Sequence, residues 1–244
     1  MLESILISDP VVLDQVPLGI DRDEVLRFQG YKKGVDQPTP EVGDLFEEAL
    51  REGERLMAPR VVYRSLRVQE TAEHQITLED GTGLHIPNIQ RFWGPIEAVG
   101  MGVLTIGDGI EERVRDLFGA REFPLAVMLD SVGSAAVESL AEWVNDFLCQ
   151  VALPDRKVTN RISPGYAGWD VAEQHWLFRL CGGERAGIVL NDHALMIPLK
   201  SISLLVGIGP HASVDHYFTQ CRRCWMKECA YRRAPAIASV SSRS

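Results

Sequence analysis

Positive charge is scarce in this chain. Its 244 residues include 25 lysines and arginines against 34 aspartates and glutamates, which gives a formal net charge of −9 and a pI near 5.2. Phosphate neutralisation needs a clustered basic face, so this balance argues against a general nucleic-acid binder. One stretch departs from the pattern: residues 221–233 carry five basic side chains and a single glutamate.

Long apolar runs and secretion signals are also missing. No run of eighteen consecutive apolar residues occurs, and the N-terminus, MLESILISDP, has neither the basic start nor the apolar stretch of a signal peptide. We therefore expect a cytoplasmic protein. In that compartment the five cysteines are expected to stay reduced rather than to form a disulfide framework.

Familiar catalytic signatures are absent as well. The sequence contains no nucleophile elbow, Walker loop or complete dinucleotide-binding fingerprint. His74, His85, His175 and His193 are scattered among different predicted elements, and we interpret them as solvated or hydrogen-bonded side chains rather than catalytic bases.

The patterns that are present predict a mixed α/β or α+β protein. Residues 41–57 have apolar side chains at helical spacing, and two short runs around residues 80–83 are typical of a hairpin. Residues 98–106 predict a buried strand. Residues 124–130, PLAVMLD, predict a second apolar strand that breaks at residues 131–133 before a helix, and the small residues 133–136 would let that helix start lie close to another backbone or a ligand.

Two capping-box patterns, at residues 108–111 and 170–173, predict helix starts. Three β-rich runs between residues 186 and 210 predict an antiparallel meander. Only the last ten residues have a composition typical of a disordered tail.

The segment RISPGYAGW, residues 161–169, combines a restricted turn with large side chains. Its proline and glycines favour a sharp, non-repeating path that exposes backbone groups. Arg161 offers a planar fork for a carboxylate, and Tyr166 or Trp169 offers a ring face for a cation. A ligand with a carboxylate and a positive centre would fit; alternatively, the arginine forms an ordinary ion pair and the aromatic rings pack the loop.

A family resemblance favours the ligand. The order Arg-x-x-Pro-Gly-Tyr, then a helix with Leu177-Phe178, then GIVLNDHALMIPLKSISLLVGIGP, resembles the activation domain of vitamin B12-dependent methionine synthase. Upstream, TIGDGIEERVRDLF and LDSVGSAAVESLAE are similar to stand-alone relatives of that domain. The resemblance covers roughly residues 96–210 and implies a single α+β domain, with a twisted antiparallel sheet and flanking helices, spanning residues 1–210.

In that family the domain binds S-adenosylmethionine and presents its methyl group to the cobalt of an inactivated cobalamin. The resemblance implies that Arg161 binds the methionine carboxylate and that the following turn lines the adenosyl pocket, which gives the predicted cofactor-binding residues Arg161, Ser163, Pro164, Gly165 and Tyr166. It implies no catalytic acid or base. Where the family has an aromatic run after Ser-x-Ser, this chain has residues 204–207, LLVG.

A cysteine-rich segment, residues 211–235, follows the part that resembles the family, and residues 236–244 form the predicted tail. The spacing of Cys221, Cys224 and Cys229 predicts a metal site that binds an iron–sulfur cluster or zinc. Candidates for the fourth ligand are Cys149, Cys181, His211 and His216. Free thiols in a basic tail are the alternative.

Three functions follow from these observations. The first is an S-adenosylmethionine-binding module that reactivates the cobalamin of a separate corrinoid methyltransferase, such as a split methionine synthase. The second is a metal-cluster-bearing corrinoid reductant or electron carrier whose S-adenosylmethionine pocket has decayed. The third is a non-catalytic scaffold that binds a corrinoid protein.

Overall fold

The structure is a computed structural model that describes residues 6–14, 16–32, 34–152, 156–166 and 168–214, and strand β5 (Ala98–Thr105) lies at its centre. All eight residues of β5 are buried. A strand that is apolar along its whole length fits a sheet covered on both faces. The predicted buried strand is therefore confirmed.

A curled antiparallel sheet forms around this strand. Within the described residues it has seven strands, in the order β4-β3-β2-β5-β9-β6, with β1 paired to one end of β2. Its other strands are β1 (Ile7–Asp14), β2 (Arg60–Ala72), β3 (Gln75–Leu78), β4 (Gly83–His85), β6 (Lys157–Val158) and β9 (Ser201–Gly209). Two short strands, β7 (Val189–Leu190) and β8 (Met196–Ile197), pair with each other separately.

Helices cover both faces of the sheet. They are α1 (Arg22–Phe28), α2 (Pro40–Leu56), α3 (Ile89–Trp93), α4 (Gly109–Gly119), α5 (Phe123–Ala152) and α6 (Gln174–Cys181). One apolar core forms between the sheet and the first, second, fourth and fifth helices, and a second core forms between the sheet and α3 and α6. The expected α+β architecture is confirmed, as are the helix over residues 40–56 and the hairpin between β3 and β4.

The strand predicted for residues 124–130 is wrong. These residues form the first turns of the 30-residue helix α5. A seven-residue apolar run does not reveal its period, because a strand and a helix buried on most sides both read as continuously apolar. The predicted break is absent too, since Ser131 Oγ donates within the helix to the Val127 carbonyl at 3.2 Å.

Small residues inside α5 allow close packing, but with side chains rather than with the backbone or ligand that the sequence predicted, and not at a helix start. A Cβ atom added to Gly133 would lie 3.0 Å from a methyl carbon of Ile110 on α4 and 3.2 Å from Lys200 Cε. By length and composition alone, α5 could cross a membrane, but 61% of its most apolar window is buried in this fold. The helix is the main support for one face of the sheet.

The helix start predicted at residues 108–111 is confirmed, because α4 begins at Gly109, but the capping box is not formed. Asp108 makes no side-chain cap, and Glu111 instead accepts a hydrogen bond from the Lys200 backbone N–H at 2.7 Å. The second pattern is confirmed in part, because Asp170 accepts from the Ala172 N–H at 2.9 Å. The meander is wrong at its last strand: β9 pairs with β5 and β6 in the main sheet rather than with β8.

Candidate functional site

The segment that begins at Arg161 is attached to the edge of strand β9. Ile162 and Leu205 exchange both backbone hydrogen bonds, each 2.9 Å long. One residue later, Ser163 Oγ donates to the Ser203 carbonyl at 2.6 Å. The chain then leaves the sheet, so the predicted ligand-binding turn starts from a backbone path that two consecutive residues hold in place.

The turn itself closes through its own backbone. Gly165, at φ 92°, donates its N–H to the Trp169 carbonyl at 2.8 Å, and the Trp169 N–H donates to the Tyr166 carbonyl at 2.9 Å. Glycine suits this position because side chains disfavour such a φ. The two aromatic rings have different environments: Trp169 is 3% exposed and belongs to the second core, between the sheet and α6, whereas Tyr166 is 50% exposed.

Arg161 lies against helix α5. Its Nη2 is 2.8 Å from Glu138 Oε2 and 2.9 Å from Glu142 Oε1, and its side chain is 20% exposed. Burial by itself disfavours the charged guanidinium, but attraction to both carboxylates and hydrogen bonds with them outweigh burial, so the pKa of Arg161 is raised above its ordinary value. The result is a permanent cation held between two anions.

These carboxylates belong to a polar stripe on α5. Asp130, Ser134, Glu138 and Glu142 occur at intervals of four residues, so they share one face of the helix. Sequence reasoning missed all four as site residues: Asp130 was assigned to a strand, and for the other three, which lie in the predicted helix, only the apolar face was considered. A four-residue polar repeat within an otherwise apolar helix was the available signal.

Strand β9, to which the turn is attached, is joined to α6 by buried polar groups. Ser203 Oγ donates to Gln174 Oε1 at 2.7 Å, and both residues are buried. The same serine provides the carbonyl that accepts from Ser163. Of the predicted residues, Arg161 forms ion pairs with α5 and Ser163 donates a hydrogen bond to β9. Gly165 donates a hydrogen bond to Trp169, which is buried in the second core.

The departure at residues 204–207 has a packing explanation. Leu204 and Val206 are buried in the first core, between the sheet and α5, and Leu205 is buried in the second core, between the sheet and α6. A Cβ atom on Gly207 would lie 2.8 Å from both Trp93 and Ile96. Larger rings do not fit at this glycine, since its space is already occupied.

A separate cleft of about 770 Å³ opens where strand β5 ends. Its lining includes Asp14, Glu54, Arg60 and Asp108, and Arg60 forms an ion pair with Asp14. None of residues 161–166 lines this cleft. It is therefore distinct from the turn that sequence reasoning selected.

The predicted metal ligands Cys221, Cys224 and Cys229, with His216, lie outside the described residues. Within the ranges that the structure describes, no group of three or more His, Cys, Asp or Glu residues is placed to hold a metal ion. Cys181 is fully buried, and burial raises the pKa of its thiol to about 12, which disfavours a thiolate there. Burial also raises the pKa of Cys149.

Comparison with solved structures identifies the fold. The chain is similar to the MetH reactivation domain bound to AdoHcy, with a TM-score of 0.61 and 14% sequence identity over 87% of this chain and 81% of that chain. No protein-family model and no curated protein matches the chain. The comparison confirms the fold that the sequence resemblance implied.

Proposed function

We propose that this protein is an S-adenosylmethionine-binding module that serves the reductive remethylation of cobalamin on a separate corrinoid methyltransferase. The observation that carries the proposal is the guanidinium of Arg161, held by Glu138 and Glu142 beside the Pro-Gly-Tyr turn. The solved structure of similar fold is bound to AdoHcy, S-adenosylhomocysteine, which has the same nucleoside and amino-acid parts.

The charges at Arg161 match an amino-acid group. A bound carboxylate would pair with the guanidinium fork, and the carboxylates of Glu138 and Glu142 would then be available to an ammonium. A zwitterion can thus replace the internal ion pairs without leaving a buried charge unpaired, an arrangement that would otherwise cost several kcal/mol. Two carboxylates against one guanidinium also leave a local charge of −1, which favours a ligand with an additional sulfonium cation.

The turn supplies the rest of a binding surface. A Cβ atom on Gly165 would meet only the side chain of Val171, at 3.9 Å, so the backbone is accessible to a flat group. The half-exposed ring of Tyr166 follows directly. Aromatic faces and exposed backbone are the groups that nucleoside-sized ligands use in concave sites.

The chemistry asks little of the protein's side chains. Bound S-adenosylmethionine supplies an electrophilic methyl group, and the partner's reduced cobalt supplies the nucleophile. The contribution of Arg161 and the turn is to hold the ligand in one orientation, which removes the entropy of alignment from the barrier. We accordingly propose no general acid or base.

Titration calorimetry with S-adenosylmethionine and with S-adenosylhomocysteine tests the proposal directly. We expect one site in the wild type and a loss of about tenfold to hundredfold in affinity for Arg161→Ala, because charge-assisted hydrogen bonds are worth about 1.5–3 kcal/mol. The matched control is Arg156→Ala. Arg156 pairs with Glu97 at 3.0 Å and is 14% exposed, and Glu97 belongs neither to the turn nor to the stripe on α5.

Reactivation measured with the partner corrinoid protein separates this function from electron transfer. The proposal requires Arg161→Ala to lower remethylation at sub-saturating S-adenosylmethionine by about the same factor as its loss of affinity. If Arg161→Ala has no effect while Cys224→Ser abolishes reactivation, the protein acts through its cysteine segment and the proposal is wrong. Absence of ligand binding in both the free and the partner-bound wild type would also overturn it.

A further inference from the structure

Lys200 connects three elements of the fold. It directly precedes strand β9, and its Nζ lies 2.8 Å from Asp130 Oδ1 and 2.8 Å from Ser134 Oγ on helix α5. Its backbone N–H donates to Glu111 of α4 at 2.7 Å. Only 14% of its side chain is exposed. The buried side chain is held in one conformation, which costs side-chain entropy. Its three contacts fix the start of β9.

These contacts reach the polar stripe that also receives Arg161. The stripe continues from Asp130 and Ser134 to Glu138 and Glu142 on the same helix. Besides the apolar core, polar contacts therefore join the turn to α5 by two routes. The direct route is the ion pair of Arg161, and the indirect route runs from Ser163 to the Ser203 carbonyl of β9 and from Lys200 to α5.

The two routes respond differently to a ligand. If a ligand carboxylate takes the guanidinium of Arg161, the direct route weakens, because Glu138 and Glu142 no longer hold that side chain. The contacts of Lys200 do not involve either residue and remain in place. The apolar core holds α5 against the sheet, and the contacts of Lys200 are polar contacts that still join the stripe to β9 while Arg161 changes partners.

We infer that Lys200 is a positioning residue of the ligand site, which holds helix α5 in register with the turn when Arg161 binds a ligand carboxylate. This inference rests on the proposed function. Lys200 contacts no ligand in this role. It acts through Asp130 and Ser134, which place Glu138 and Glu142 one and two helical turns beyond Ser134.

Charge and position make opposite predictions at this residue. The Lys200–Asp130 pair is neutral, so replacing the lysine by a neutral residue leaves the partly exposed carboxylate of Asp130 uncompensated. On charge alone, that change strengthens the binding of a cationic ligand. Loss of the positioning contacts weakens binding instead. The sign of the change in affinity therefore distinguishes the two effects.

The experiment compares Lys200→Met, Lys200→Arg and Ser134→Ala in titrations with S-adenosylmethionine and S-adenosylhomocysteine. We expect Lys200→Met to weaken both ligands by about tenfold, which corresponds to about 1.4 kcal/mol. Lys200→Arg should restore most of the affinity, and Ser134→Ala should weaken both ligands by less. Position affects both ligands alike, whereas the uncompensated charge of Asp130 favours only the sulfonium, so S-adenosylhomocysteine should lose at least as much affinity as S-adenosylmethionine.

Arg113→Met is the matched control. Arg113 of α4 pairs with Glu52 of α2 at 2.7 Å and joins two helices without touching the stripe in its observed ion pair. Its replacement should lower the melting temperature and leave affinity unchanged. Circular dichroism confirms that each variant is folded at the titration temperature. Wild-type affinity or tighter binding in Lys200→Met would overturn the inference, whereas failure of the wild type to bind would overturn the proposed function itself.

Discussion

The two carboxylates that hold Arg161 are expected to contribute unequally to the free energy of unfolding. Glu138 is 28% exposed and Glu142 is 60% exposed, although both lie within 2.9 Å of Arg161 Nη2. A partly buried charged hydrogen bond contributes about 1–2 kcal/mol, whereas an exposed ion pair contributes about 0.5 kcal/mol or less. Glu138→Gln should therefore lower the free energy of unfolding by about 1–2 kcal/mol, and Glu142→Gln by no more than about 0.5 kcal/mol.

Urea unfolding at two salt concentrations measures this difference. The Debye length falls from about 10 Å at 0.1 M salt to about 3 Å at 1 M, so the small effect of Glu142→Gln should disappear at the higher concentration. The effect of Glu138→Gln should persist. Double-mutant cycles with Arg161→Met isolate each pair and should give the larger coupling for Glu138. Equal costs, or a larger cost at Glu142, would refute the assignment of Glu138 as the main partner.

Three other predictions follow from the packing and ionisation of buried groups. Gly207→Ala should cost about 1–3 kcal/mol in urea unfolding because its added methyl would lie 2.8 Å from neighbouring side chains, whereas Gly102→Ala, whose nearest contacts would be 3.5 Å, should be close to neutral; similar values for the two would contradict the packing. Ser163→Ala should lower the unfolding free energy by about 1 kcal/mol and weaken S-adenosylhomocysteine in calorimetry, since the hydrogen bond to the β9 carbonyl is lost, and unchanged values in both would show that the turn does not depend on it. The pKa of Cys181 is raised to about 12, so the stability from its neutral thiol is present below about pH 8.5 and is lost as pH rises towards 12; unfolding free energies measured between about pH 9 and 11 should fall more steeply in the wild type than in Cys181→Ala, and parallel curves would exclude this linkage.

Elements whose apolar residues keep one clear period could be predicted from the sequence. The helix over residues 40–56 has a regular stripe and an N-cap at Thr39, and the hairpin turn has Gly81 at φ 84°. Such signals are local, since each residue's neighbours in sequence are also its structural partners. The fold class required the family resemblance, because spacing alone does not order the strands.

The partners of the candidate site could not be predicted in the same way. Arg161 was recognised as a carboxylate-binding side chain, but its contacts with Glu138 and Glu142 depend on a helix whose start was assigned to a strand. Glu111 matched a capping box, yet it binds the Lys200 backbone, which is distant in sequence. Long-range electrostatic pairing of this kind is set by the packing of α4 and α5 against β9, and it has no local signature.

Helix α5 fixes the distance between two ion pairs of the protein. Asp130 and Glu142 are twelve residues apart, so an unbroken helix separates the anchor of Lys200 from that of Arg161 by about 18 Å. An uninterrupted helix cannot shorten this distance to accommodate a different ligand. The Lys200 anchor therefore keeps its place when a ligand takes Arg161 from Glu142, and mutations near Asp130 are expected to change the position of Glu138 and Glu142 at the turn.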